Sequence, residues 1–140
     1  MLGRYRPLWL NENGDLEVID QRYLPHENRI RILSCGAGAA EAISDMTVRG
    51  AGVIGNVAAF GVYLIAREFN GDKKRIAKES AFIRASRPTA VNLMWAVDRM
   101  LAVIKNSDNV IEDAKAEAII EDDFPEVARN DVGRTEAFGE

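Results

Sequence analysis

One cysteine, Cys35, and one histidine, His26, are all that this 140-residue chain has of those two residue types. A lone cysteine closes no internal disulfide. No group of His, Cys, Asp and Glu has the spacing of metal ligands, so neither a metal nor any other cofactor is expected. Clustered basic charge is also missing: 18 Lys and Arg stand against 22 Asp and Glu, for a net charge of −4 and a pI near 5.1. General binding to nucleic acid or to an anionic membrane needs the opposite balance. Long apolar runs are absent too. The uncharged stretch from Gly50 to Ala66 falls short of the about 20 strongly apolar residues of a membrane span, and it is diluted by glycine, alanine and Asn56. The segment Met1 to Pro7 lacks the apolar centre of a signal peptide, which makes the cytoplasm the expected compartment.

What is present is the composition of one globular domain, 47% hydrophobic and 29% charged, taken here as residues 1–140. Trp9-Leu10 and Leu16 to Asp20 flank Asn13-Gly14, a strong hairpin signal. Asn28 to Leu33 alternates polar and apolar residues like a half-exposed third strand, and Leu24-Pro25 breaks the path before it. After Ser34 the period turns helical. Ala39, Ala40, Ile43 and Met46 form a stripe; further helices are expected over about 51–69, 72–85, 89–105 and 110–121 or beyond. In the fourth, Pro88 suits the first turn, and Val91, Trp95, Val97, Met100, Leu101 and Ile104 are expected to face the core. The predicted class is α+β: a small three-stranded antiparallel sheet over about 8–34, then a bundle of about five helices over about 36–128, with a fraying tail at 129–140.

Two helix starts stand out. Arg49-Gly50-Ala51-Gly52 and Arg87-Pro88-Thr89-Ala90-Val91-Asn92 each open a long apolar helix. Such a start presents unpaired N–H groups and the positive end of the helix dipole, so an arginine beside it makes an anion site. If the two converge on one face, they suit a phosphorylated small molecule. Close helix packing at the glycines and ordinary surface charge would explain the same residues. Gly50 to Gly55 matches GxGxxG, but the preceding segment reads as helix, so no dinucleotide-binding βαβ unit surrounds it. His26 after a turn proline reads as a structural residue, and Cys35 as a small packed one. Asp45, Asp98 and Glu121-Asp122-Asp123 supply carboxylates without a placed acid and base. No catalytic residue is assigned.

Three segments carry a family resemblance. Asp20 to Glu27, Asp45-Met46-Thr47-Val48-Arg49-Gly50-Ala51 and Ser86 to Met100 resemble the methylthioribose-1-phosphate isomerases in order and spacing, and the likeness covers about residues 8–133. The superfamily also holds ribose-1,5-bisphosphate isomerases and the regulatory subunits of the eukaryotic initiation-factor exchange complex. The resemblance implies an aldose–ketose isomerase of methionine salvage that turns 5-methylthioribose 1-phosphate into 5-methylthioribulose 1-phosphate. It places the catalytic cysteine and aspartate in a second, Rossmann-like domain, whose linker would begin near Glu140. Cys35 does not match that cysteine. Arg49, Gly50, Ala51 and Arg87 match substrate-holding positions. One departure concerns substrate: Gly52 follows Ala51 where the isomerases usually have proline, as in the bisphosphate enzymes, whereas the Arg87 motif favours methylthioribose phosphate.

Three functional classes follow. The chain is the substrate-binding portion of an isomerase, completed in cis or by a separate chain; or a sugar-phosphate or nucleotide-binding module without turnover; or an assembly protein like the initiation factor 2B relatives. A homo-oligomer is compatible with each. The arginine motifs favour the first two, and under the first the chain alone is expected to be inactive.

Overall fold

The computed structural model describes residues 7–23, 26, 27, 29–48 and 50–123. Strands β1 (Leu8–Leu10), β2 (Leu16–Ile19) and β3 (Ile30–Leu33) form an antiparallel sheet in the order β1-β2-β3. The expected hairpin is there. Asn11 Oδ1 accepts from the backbone N–H groups of Asn13 and Asp15, and Gly14 takes the positive φ of 82° that the turn requires. Register pairs Leu8 with Val18 and Leu16 with both Leu10 and Leu33, which puts Leu8, Leu16, Val18 and Leu33 into the core. The third strand alternates as expected, with an unusual choice of face. Ile30 and Ile32 are the exposed residues, at 55% and 56%, while Arg31 sits on the inner face with Leu33.

Five helices follow, α1 (Gly36–Ser44), α2 (Ala51–Glu68), α3 (Lys73–Ala85), α4 (Val91–Lys105) and α5 (Val110–Asp123). Every residue of α2 from Val57 to Ala66 is buried. A helix apolar all round belongs at the centre of a bundle, and α2 packs against each of the other four. Gly61 permits this closeness, since a Cβ there would stand 2.8 Å from Ile83 and 2.9 Å from Ala39. At its end Asn70 and Gly71 take left-handed conformations, and Asp72 opens α3 by accepting from Arg75 N–H. Arg67 ties α2 to the hairpin, donating to Asp15 Oδ1 at 2.6 Å and to the Ser34 carbonyl.

The structure corrects two helix boundaries. Met46 is not on the α1 stripe; it follows the helix with a φ of 68° and is exposed, because α1 stops at Ser44. The fourth helix begins at Val91 rather than Thr89. Pro88 disfavours helical geometry at Arg87 and fits the second position of a β-turn, which the Ala90 N–H closes onto the Arg87 carbonyl at 3.0 Å. The inward face of α4 also differs from the expected one. Leu93, Ala96, Val97, Met100 and Ile104 are buried and Leu101 packs against them, whereas Val91 and Trp95 are 75% and 42% exposed. The expectations for Leu24-Pro25, Arg49, the bundle beyond Asp123 and the tail at 129–140 lie outside the described residues.

Candidate functional site

Neither α2 nor α4 begins with a capping side chain. Gly50 precedes α2 with φ 93° and ψ 132°, and Ala90 precedes α4; neither residue has a side chain able to accept from the helix N–H groups, and neither helix has an acidic residue in its first turn. The carbonyls of Gly50 and Ala90 accept the first intrahelical bonds, from Ile54 and Met94. The N–H groups of the residues between them lack intrahelical partners and carry the positive dipole ends.

The two starts are neighbours. A Cβ built on Gly55, one turn into α2, would lie 3.6 Å from the Asn92 carbonyl and 3.7 Å from Asn92 Cβ, one residue into α4. Gly50 itself is exposed, with nothing within 4 Å of where its Cβ would be, so a ligand can reach the backbone there. Ala51 begins α2, but its side chain is outside the description, as Arg49 is altogether.

Arg87 is half-buried in the turn that leads into α4. Among the described arginines, Arg22, Arg29, Arg31, Arg67, Arg75, Arg84 and Arg99 each pair with a carboxylate. No such pair ties Arg87 to another described residue. Its charge is therefore uncompensated by those residues, in the turn that leads into the uncapped start of α4. Asn92 likewise has no hydrogen bond from its side chain among the described residues, although it is half-buried.

The remaining candidates are dispersed or engaged. His26 is exposed in the turn after the 3₁₀ segment Gln21–Tyr23. Cys35 is a free, half-buried thiol preceding α1 and makes no capping hydrogen bond. Arg84 holds Asp98 with bonds of 3.0 and 3.2 Å, and Glu121 to Asp123 close α5. Ser86 and Thr89 do not cap α4; the Ser86 hydroxyl instead donates to the Ile83 carbonyl at the end of α3. Gly50 precedes α2, Gly52 and Gly55 lie within its first turns, and the element before them is helix α1, so no strand leads into GxGxxG. Among the described residues no group of three or more His, Cys, Asp and Glu is placed to hold a metal ion, and no helix is long and apolar enough to cross a membrane.

Sequence reading passed over a second cluster beside these starts. Asp45 Oδ1 accepts from the Thr47 N–H and hydroxyl, and Asp45 Oδ2 accepts from Arg31. Burial pushes the Asp45 carboxyl up, but these bonds and the Arg22 charge outweigh it and hold the group below the usual carboxylate range. Asp20 is lowered chiefly by its two-pronged bond from Arg22. The available signal was Arg31, a charged residue within an otherwise apolar strand.

A family model described as the initiation factor 2 subunit family matches residues 45–140. A methylthioribose-1-phosphate isomerase from Sulfurimonas denitrificans is 52% identical over 122 residues, covering 85% of this chain and 34% of the relative. One from Methylocella silvestris is 40% identical over 136 residues, covering 96% of this chain and 36% of the relative. Among solved structures, the delta subunit of translation initiation factor eIF-2B from A. fulgidus superposes with a TM-score of 0.73 at 30% identity, covering 85% of this chain and 36% of that one. The 5-methylthioribose 1-phosphate isomerase from Pyrococcus horikoshii gives 0.67 at 32% identity, covering 86% and 35%. The chain thus spans about a third of the length of these relatives.

Proposed function

Because this chain belongs to the initiation factor 2 subunit family, we propose that it is the N-terminal, substrate-holding portion of an aldose–ketose isomerase acting on 5-methylthioribose 1-phosphate. The observation that carries the reading is the meeting of two uncapped helix starts, one of them led into by Arg87, a described arginine that no carboxylate among the described residues pairs. Phosphate oxygens would accept from the free N–H groups at the start of α2 and α4, with Arg87 and Arg49 as counter-charges. Gly50, exposed and without a side chain, lets the phosphate approach the backbone, and the Ala51 N–H is the first of α2's free donors.

Holding the phosphate orients the sugar; it does not isomerise it. Ring opening and transfer of hydrogen between C2 and C1 need an acid and a base within hydrogen-bond reach of those atoms. Asp98 is occupied by Arg84, and His26 is exposed on the turn after the 3₁₀ segment, with no placed partner to make an acid–base pair among the described residues. As the family resemblance implies, the acid and base belong to a second, Rossmann-like domain, in cis or on another chain, that closes over the site. Exposed Val91 and Trp95, on the first turns of α4, supply an apolar face for that domain to cover.

A coupled assay for ketose formation tests this reading. The chain alone should give no turnover and weak sugar-phosphate binding; adding a chain that bears the second domain should give turnover. Robust turnover by the chain alone would show the catalytic residues to be misassigned. A second reading, an assembly module like the initiation-factor relatives, is favoured by the higher TM-score to the eIF-2B delta subunit. Absence of any sugar-phosphate binding by the wild-type chain would select it.

A further inference from the structure

The segment that joins α1 to α2 is held by a charged network contributed by three separate elements. Asp45 Oδ1 accepts from the Thr47 N–H at 2.9 Å and from its hydroxyl at 2.6 Å. Arg31, reaching in from β3, donates from one nitrogen to Asp45 Oδ2 at 3.1 Å and to Thr47 Oγ1 at 2.8 Å, and from the other to Glu41 on α1. Arg22, in the 3₁₀ segment, stands 3.6 Å from Asp45 Oδ2. Thr47 is wholly buried, its hydroxyl donates to Asp45 and accepts from Arg31, and its carbonyl accepts from Gln21 N–H at 2.7 Å. The conformation held this way is a costly one, with Met46 at a φ of 68°.

The sheet gives up apolar burial to make this network. Turning Arg31 inward leaves Ile30 and Ile32 more than half exposed, where the other register would bury them. The pair of Arg31 with Glu41, whose carboxylate is exposed, contributes little to stability; the partly buried bonds to Asp45 and Thr47 carry the network. The last residue the network holds, Thr47, stands three residues before Gly50, which takes a φ of 93° at the start of α2.

We infer that Asp45, acting through Thr47 and Arg31, is a positioning residue for the segment at Gly50 that opens α2, presetting the Gly50 backbone to receive a phosphate group. The inference rests on the proposed phosphate-holding role of that segment. Its advantage is pre-organisation: a loop already in its bound conformation loses less freedom when the ligand arrives. The network performs no chemistry itself.

The test compares Thr47→Val, Thr47→Ser and Asp45→Asn in the 140-residue chain. Nitrogen-15 relaxation at the Gly50 amide reads the loop directly. In wild type and Thr47→Ser its order parameter should lie near the rigid value of about 0.85, and in Thr47→Val and Asp45→Asn it should fall toward the flexible range below about 0.6. Affinity for 5-methylthioribose 1-phosphate, measured by titration, should drop about tenfold in the same two variants and return with serine. A melting temperature that falls while Gly50 dynamics and affinity stay at wild-type values would overturn the inference, leaving only a structural network. A wild-type chain that binds no sugar phosphate would defeat the site reading instead, and the relaxation data would still decide the positioning role. Should Thr47→Val not fold, Asp45→Asn carries both readouts.

Discussion

The start of α3 and the starts of α2 and α4 present the same four unpaired N–H groups and treat them in opposite ways. At α3 the chain supplies its own anion: the Asp72 carboxylate accepts from Arg75 N–H, and the nearby cation Arg75 pairs with Glu79. At α2 and α4 it supplies glycine and alanine as caps, no carboxylate in the first turn, and at α4 an arginine without a pair among the described residues. A helix start completed by the chain has no further capacity for an anion. One left open next to uncompensated charge keeps that capacity for a ligand, at a cost in stability.

Removing the charge should separate the two regions most widely. In an isomerase reconstituted with the second domain, Arg87→Ala should lower kcat/KM by the equivalent of about 2–4 kcal/mol, the range for losing one partner of a buried charge pair. Arg84→Ala, which removes an arginine already paired with Asp98, should leave kcat/KM within about twofold of wild type. Equal losses in the two variants would mean that the pairing of arginines does not distinguish the site.

A smaller effect comes from closing an open start. Ala90→Asp gives α4 the cap it lacks and should stabilise the domain by about 1 kcal/mol in urea unfolding, while weakening sugar-phosphate binding by placing a carboxylate where the phosphate would go. Asp72→Ala should do the reverse for stability, costing about 0.5–2 kcal/mol, and leave binding untouched. If Ala90→Asp gained stability and bound equally well, the anion would have to sit elsewhere.

The smallest effect belongs to pH. Asp20 and Asp45 have carboxyl groups lowered in the folded chain, so the folded state favours their ionised forms. That contribution to stability is complete above the ordinary carboxylate value of about 3.9 and is lost as pH falls through the lower folded values. Stability should therefore show no loss from these two groups between about pH 5 and 7 and decline below about pH 4. Asp20→Asn should flatten the acid limb of the unfolding curve.

Much of this was legible before any coordinates. Asn13-Gly14 sets the hairpin because glycine alone takes the positive φ of that turn without strain, and the uncharged run after Gly50 has nowhere to go but the centre. Helix starts were read less well where proline was involved. Pro88 is compatible both with a first helical turn and with a β-turn, and one sequence does not say which; Val91 and Trp95, four residues apart, share the outward face of α4, and the apolar pattern alone does not tell that face from the one of Leu93, Val97, Met100 and Ile104. The Arg49 and Arg87 motifs are visible as residue types, but the approach of Gly55 in α2 to Asn92 in α4 is not. Nothing in the chain between Gly55 and Asn92 specifies that these two touch.

The sequence by itself determined the class of the fold, the switch from strand to helix after Ser34, the central place of α2 and the family, because these follow from local periodicity, turn chemistry and motif order. Tertiary structure alone decided which face of β3 turns inward and which described arginine lacks a carboxylate among the described residues. Alternation in Asn28 to Leu33 is satisfied by either register, and the choice falls to Glu41, Asp45 and Thr47, which are distant in sequence and reach Arg31 only once α1 has packed beside the sheet. An arginine's pairing depends in the same way on which carboxylates the fold brings within about 4 Å, a property of the packed chain and of no local stretch of it.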